Sequence, residues 1–311
     1  MDFWLLDQSA AIQIVFFFMV WTGAWVPVAI VTAIALRWHP PQPLEATQKL
    51  ALVASLYVLA PPILWKFVQV DGLRLVDFGF SVGRATWIAL FIGFGLALLS
   101  LILSLGLQLW WGWVRWQPKG LYISGFASDS TLRSNSSALN AAENLVQFPG
   151  ISLLWTLLPM IFPAIALALW IGGTEEFVFR GFVQAVLRRD YSIGLAATLT
   201  SGIFALTHLV WQPRATLPQL PGLWLLGMVL TLACGTPGGN LGLAIGLHGG
   251  WIFGLSSLAH LGSFYPTFQS PRWMTGGSIQ PLTGLADGVM LGMVAGLLAI
   301  PYFSGEFSSL S

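Results

Sequence analysis

Charged residues are scarce in this chain of 311 residues: they make up 8% of the sequence, whereas soluble globular domains carry about 25%. Because the chain is also 56% hydrophobic, a water-soluble fold is excluded. The 13 Lys and Arg residues against 12 Asp and Glu give a formal net charge of +1, which provides no basic field to bind nucleic acid. The single cysteine, Cys234, can form neither an intrachain disulfide nor a cysteine-based metal cluster. The class of protein that remains is a polytopic membrane protein.

Apolar runs are abundant. A helix that crosses a bilayer needs about 20 mostly apolar residues, and about eight stretches approach that length. The sequence therefore predicts an all-α, polytopic membrane helix bundle of about eight transmembrane helices. The stretches are Ala10–Leu36, Leu50–Trp65, Trp87–Leu109, Ile151–Ile171, Ile193–Trp211, Leu220–Leu232, Leu241–Leu261 and Leu282–Phe303. We interpret the aromatic run Trp110–Trp116 as the point where a helix leaves lipid through the headgroup layer.

Ionisable side chains at membrane depth are functional candidates, because burying them without a partner costs several kcal/mol. The densest cluster is Glu175, Glu176 and Arg180, directly after the fourth apolar stretch. On a helix, Glu176 and Arg180 are four residues apart and can form an ion pair, whereas Glu175 points about 100° away and is free to take a proton from another group. Alternatively, Gly172-Gly173 breaks the helical chain, a new helix begins after it, and both glutamates only interact favourably with the dipole of that helix.

Two histidines lie in other apolar stretches. His208 follows Phe204 by one helical turn. His248 lies opposite a ridge of glycines that recur every fourth residue from Gly238 to Gly254, along which another helix can approach closely. We therefore expect His248 to point into a protein-lined cavity. For either histidine alone, an imidazole hydrogen-bonded to a backbone carbonyl is the alternative.

These side chains favour hydrolysis by activated water. Gly-x-Ser-x-Gly is absent and Cys234 is far in sequence from both histidines, which disfavours covalent catalysis. A carboxylate and an imidazole that share a water can deprotonate it, and a second imidazole can stabilise the oxyanion of a tetrahedral intermediate. The same groups could bind zinc, but without a His-Glu-x-x-His helix the ligands would come from separate helices. We expect neither a metal nor a cofactor.

The order of these residues resembles the CAAX-protease and bacteriocin-processing family of integral membrane endopeptidases. The family's motifs are Glu-Glu-x-x-x-Arg, Phe-x-x-x-His and His-x-x-x-Asn/Asp. The first two are complete at Glu175–Arg180 and Phe204–His208, and His248 opens the third. The resemblance covers about Leu153 to Leu261, and the flanking stretches match only in hydropathy. We do not infer prenyl specificity from it.

The resemblance implies roles for five residues. Glu175 and His208 would activate the attacking water, Glu176 and Arg180 would orient the site, and His248 would serve the oxyanion hole. It also implies a catalytic membrane domain at residues 148–305, preceded by membrane spans and an extramembrane connector at residues 1–147. The expected partners are the lipid bilayer and a peptide or membrane-protein substrate, with no nucleic acid. The expected location is the bacterial inner (plasma) membrane.

One position departs from the third motif. Ile252 stands where the family has Asn or Asp, and its side chain cannot donate a hydrogen bond. Losing one oxyanion donor costs about 10²- to 10³-fold in rate, so the chain is a slow protease, uses another donor such as Asn240 or Ser256, or is inactive. A noncatalytic membrane scaffold or bacteriocin-immunity factor is therefore the alternative function. A small-solute transporter ranks third, because the two halves show no inverted repeat of hydropathy.

Overall fold

The computed structural model describes residues 7–70, 76, 79, 83–118, 150–235, 241–267, 270–276 and 281–303. Its helices are α1 (Ala10–Ala35), α2 (Ala46–Val70), α3 (Arg84–Trp110), α4 (Gly150–Glu176), α5 (Gln184–Asp190), α6 (Ile193–Thr207), α7 (Pro213–Thr216), α8 (Leu220–Cys234), α9 (Gly242–Leu261), α10 (Arg272–Thr275) and α11 (Leu285–Phe303). A π-helical segment, Phe177–Val183, joins α4 to α5. Two 3₁₀ turns, His208–Val210 and Leu217–Gln219, flank α7. Most of the polar connector and Asn240 lie outside the described residues.

The predicted polytopic helix bundle is confirmed. Among the described residues, seven helices are long and apolar enough to cross a membrane, and the apolar helix Leu285–Ile300 is shorter. The fourth crossing segment runs on from Pro159 to Asp190 and so includes the glutamates. The alternative of a chain break at Gly172-Gly173 is wrong, since both glycines lie inside α4.

Two short strands add to the helices. Strand β1 (Val114–Pro118) pairs antiparallel with β2 (Gly262–Pro266), and Trp116 is opposite Phe264, with ring centroids 4.5 Å apart. The strands follow α3 and α9, which pack against each other, so the two chain segments leave the helices side by side. Part of the aromatic run that we interpreted as a membrane exit is therefore strand.

Helix α9 lies between α3 and α4, and its glycines permit the close approach. A Cβ atom at Gly250 would lie 2.7 Å from Ala97 Cβ and 2.9 Å from the carbonyl oxygen of Phe94, both on α3. On the α4 side, a Cβ atom at Gly172 would lie 2.9 Å from the backbone nitrogen of Gly249. The second crossing comes one turn before the glutamates and therefore brings them next to α9.

A cluster of aromatic rings packs α1 and α2 against the π-helical segment. Phe17 of α1 lies 5.2 Å from Phe67 of α2 and 4.8 Å from Phe182 of the π-helical segment, between ring centroids. Phe17 and Phe182 are fully buried. Aromatic pairs at these distances contribute about 0.5–1.5 kcal/mol each beyond the area they bury. The N-terminal helices are thus packed onto the polar part of the bundle.

Replacing Gly250 by Ala should destabilise the fold by about 1–3 kcal/mol, because the added methyl group meets α3 backbone that cannot move without displacing the helix. Gly95→Ala on α3 is the matched control, since a Cβ atom there meets nothing within 4 Å. Thermal unfolding in detergent measures both variants. Equal unfolding temperatures for the two would contradict the close packing of α3 and α9.

Candidate functional site

A buried ion pair lies at the junction of α4 and the π-helical segment. Arg180 Nη1 donates a hydrogen bond to Glu176 Oε1 at 2.9 Å, and neither side chain is exposed to solvent. Arg180 Nη2 also donates to the carbonyl oxygen of Gly227 on α8, at 3.1 Å. The pair predicted from the four-residue spacing is therefore present. It lies beside a π-helical turn, a rare conformation that is often found at functional sites.

Phe204 occupies the space among the charged groups. The guanidinium carbon of Arg180 lies 4.5 Å from the centroid of its ring, within cation–π range. The ring also meets both histidines edge-on, with centroid distances of 4.7 Å to His208 and 5.7 Å to His248. The phenylalanine of the second motif thus packs against side chains from all three motifs.

His248 lies between the two glutamates. Its Nδ1 is 2.7 Å from Glu176 Oε1, and its Nε2 is 3.5 Å from Glu175 Oε2. The carboxylate of Glu176, paired with Arg180, can only accept, so Nδ1 of His248 carries a hydrogen and donates it. The side chain is 5% exposed, in agreement with the interior position expected from the glycine ridge. Only Nε2 remains for a further interaction.

Among the described residues, Glu175 has no partner on its own helix, as expected, but two other helices each place a side chain next to it. The hydroxyl of Tyr57, on α2, donates to Glu175 Oε1. Glu175 Oε2 faces His248 on α9. Tyr57 did not emerge from the sequence motifs. The available signal was a phenol hydroxyl within an apolar stretch, since a buried hydroxyl of this kind usually has a hydrogen-bond partner.

His208 begins the 3₁₀ turn after α6, and its ring bonds to the protein backbone. Its Nδ1 lies 2.8 Å from the carbonyl oxygen of Phe204. A carbonyl can only accept, so Nδ1 carries a hydrogen, and in the neutral imidazole Nε2 has the free lone pair. The backbone interaction that we considered as an alternative to catalysis is therefore present, and it leaves one ring nitrogen unengaged by that bond.

Glu175 and His208 line the same cavity, which has a volume of about 210 Å³. Tyr57 lines it as well. The rest of the wall is largely aromatic and comes from α1, the π-helical segment and the end of the 3₁₀ turn; it includes Phe18, Trp21, Trp25, Phe179 and Trp211. A carboxylate and an imidazole thus line one space, and the apolar wall strengthens charge interactions inside it. That the two side chains share one water stays a prediction.

Of the two candidate replacement donors, Ser256 is not among the residues that line this cavity. Ser256 lines another cavity of about 420 Å³, together with Ser104, Gln108 and Asp287. Asn240 lies outside the described residues. Within the described part of the chain, no group of three or more His, Cys, Asp or Glu side chains is arranged to hold a metal ion. Metal independence stays a prediction.

Comparison with known proteins identifies a family for about a third of the chain. Residues 153–254 match the family model described as Type II CAAX prenyl endopeptidase Rce1-like. No curated protein and no solved structure matches the chain. The resemblance to the CAAX-protease family is thereby confirmed for this segment. At the general level, the match supports a membrane-embedded hydrolase that acts on a peptide or protein in the lipid bilayer.

Arg180→Ala should lower the free energy of unfolding by about 3–5 kcal/mol, because it leaves Glu176 as a buried carboxylate without its guanidinium partner. Arg188→Ala is the control, since Arg188 is exposed at the end of α5. Thermal and denaturant unfolding in detergent give the difference. A variant at position 180 that is as stable as the parent would mean that the pair is not structural.

Proposed function

We propose that the protein is an integral membrane endopeptidase of the bacterial inner (plasma) membrane, which hydrolyses a peptide bond of a peptide or membrane-protein substrate. The observation that carries the proposal is that Glu175 and His208 line one cavity inside a bundle of apolar helices. A carboxylate and an imidazole that share a space can activate a water molecule there. The match of residues 153–254 to an endopeptidase family supports the same type of reaction.

In the proposed reaction, a water molecule lies between Glu175 and His208. The free Nε2 of His208 accepts a hydrogen bond from this water and orients it. The water oxygen attacks the carbonyl carbon of the scissile amide while one proton passes to Glu175. Glu175 then returns the proton to the amide nitrogen as the carbon–nitrogen bond breaks, which yields a carboxylic acid, with the second water proton still on its oxygen, and an amine.

Glu176 and Arg180 hold His248 in place for the oxyanion. Because Nδ1 of His248 is engaged by Glu176, only Nε2 can donate to an oxyanion, and it can do so only in the doubly protonated imidazolium. In that form, His248 and Arg180 together balance the charges of Glu175 and Glu176. We propose residues 148–305 as the catalytic domain, with α1 and α2 completing the cavity wall.

The second candidate function is a noncatalytic scaffold or bacteriocin-immunity factor of the same fold. The Ile252 departure favours it, since the third-motif donor is missing and Ser256 lines a separate cavity. A scaffold would keep the Glu176–Arg180 pair for stability and would not depend on Glu175 as a proton acceptor. The two functions therefore differ in what a change at Glu175 does.

Glu175→Gln and His208→Ala should each abolish peptide cleavage while leaving the protein folded, because each removes a group that the proposed reaction needs and keeps the buried Glu176–Arg180 pair. Exposed residues of the same types give the controls Glu45→Gln and His260→Ala. The measurement uses protein in lipid vesicles with a mixture of internally quenched random peptides and prenylated CAAX peptides. If Glu175→Gln loses cleavage but keeps its full biological effect, or if the parent itself cleaves nothing, the scaffold becomes the better proposal. A parental cleavage rate in Glu175→Gln would instead mean that Glu175 is not the proton acceptor.

Activity should survive a chelator, because the proposed mechanism uses a carboxylate and an imidazole in place of a bound metal. Elemental analysis of the purified protein should find no stoichiometric zinc, and cleavage in EDTA should equal cleavage without it. A zinc mechanism would show the opposite: stoichiometric metal, loss of cleavage in the chelator, and recovery when zinc is added back.

A further inference from the structure

We infer that Tyr57 is a positioning residue for Glu175, an assignment that rests on the proposed hydrolysis. Tyr57 lies on α2, outside the matched residues 153–254 and outside all three motifs. Its hydroxyl nevertheless bonds the carboxylate that we propose as the proton acceptor, and its side chain lines the same cavity. The N-terminal part of the chain thus contributes directly to the site.

The Tyr57 hydroxyl bonds only one of the two carboxylate oxygens of Glu175, so the two oxygens can have different roles. Tyr57 donates to Glu175 Oε1, which fixes one oxygen. The other, Oε2, is buried without a hydrogen-bond partner among the described residues and lies 3.5 Å from Nε2 of His248. The terminal torsion of a glutamate is broad, so without a bond at Oε1 the carboxylate plane can rotate. Tyr57 therefore holds Oε2 in one orientation for the water.

Two tryptophans of α1 hold the backbone around Tyr57. Trp21 Nε1 donates to the carbonyl oxygen of Leu56 at 3.0 Å, and Trp25 Nε1 donates to Ser55 Oγ at 3.0 Å. The Trp21 ring also lies 6.5 Å from the Tyr57 ring, between centroids. These contacts fix the helix at the two residues that precede Tyr57. The hydroxyl is thus set in place by packing before any substrate binds.

A different role for the same hydroxyl would be to bind the oxyanion in place of the Asn or Asp that Ile252 replaces. The two roles predict different double variants. If Tyr57 is the missing oxyanion donor, an asparagine at position 252 should substitute for it. If Tyr57 positions Glu175, that asparagine does not restore the orientation of the carboxylate. The hydrogen bond to Glu175 favours the positioning role.

The test compares Tyr57→Phe, which keeps the ring and removes only the hydroxyl, with Tyr191→Phe, a change at an exposed tyrosine. The double variant Tyr57→Phe, Ile252→Asn and the single variant Ile252→Asn complete the set. Cleavage of one internally quenched peptide, chosen from the mixture above as one that the parent cleaves, gives kcat and KM per folded molecule in lipid vesicles. The folded fraction is measured by size-exclusion chromatography and thermal unfolding.

We expect Tyr57→Phe to lower kcat about 10- to 100-fold with KM unchanged, because it removes one hydrogen bond to a charged group that does not bind substrate. Tyr191→Phe should match the parent, and Ile252→Asn should not restore the rate of Tyr57→Phe. A parental kcat per folded molecule in Tyr57→Phe would overturn the inference. The same holds if the variant loses activity only because a smaller fraction of it is folded. Recovery in the double variant would overturn it in favour of the oxyanion role.

The same experiment separates this inference from the proposed function. If the parent cleaves and Glu175→Gln does not, the hydrolysis stands, and a parental rate in Tyr57→Phe defeats the positioning role alone. If the parent cleaves no peptide of the mixture, or Glu175→Gln cleaves as fast as the parent, the hydrolysis and the role of Tyr57 fall together.

Discussion

Adjacent carboxylates buried in an apolar bundle need compensating charge, and the arrangement around Glu175 and Glu176 follows from that need. A carboxylate inside a membrane protein is stable only with a close cation or several donors. Glu176 has both, since Arg180 and His248 each bond its Oε1. Arg180 is in turn tied to α8 through the carbonyl oxygen of Gly227. One carboxylate thus links α4, the π-helical segment, α8 and α9.

The glycines of α4 and α9 make this linkage sterically possible. A side chain at Gly172 would meet the backbone of α9 at Gly249 and push the two helices apart. The distance of 2.7 Å between His248 and Glu176 depends on that close crossing. On its far side, α9 is held against α3 at Gly246 and Gly250. The glycines therefore set the distance between the helices, and that distance lets His248 bond to Glu176.

Local patterns in the sequence predicted much of the fold and the central ion pair of the site. Apolar runs predicted the helices, because each crossing helix satisfies its own backbone hydrogen bonds and needs about 20 apolar residues. The four-residue spacing predicted the Glu176–Arg180 pair, because residues four positions apart are neighbours on one face of a helix. The glycine repeat indicated the close packing of α9.

Contacts between distant parts of the chain could not be predicted in this way. The Tyr57–Glu175 bond joins residues 118 positions apart, and the strand pair β1–β2 joins segments separated by more than half of the helices. No local periodicity of the sequence indicated the π-helical segment at Phe177–Val183 or the 3₁₀ turn that begins at His208. The division at residues 147 and 148 stays a prediction.

The two histidines are anchored alike and differ in what their free nitrogens face. Each ring donates from Nδ1, His208 to a backbone carbonyl and His248 to Glu176. In the neutral imidazole, the bond to the carbonyl leaves Nε2 of His208 with the lone pair that can orient a water. His248 lies between two carboxylates, with Nδ1 2.7 Å from Glu176 Oε1 and Nε2 3.5 Å from Glu175 Oε2. The anchor of each ring thus leaves Nε2 of His208 to accept a hydrogen bond from the water, and Nε2 of a doubly protonated His248 to donate one to the oxyanion.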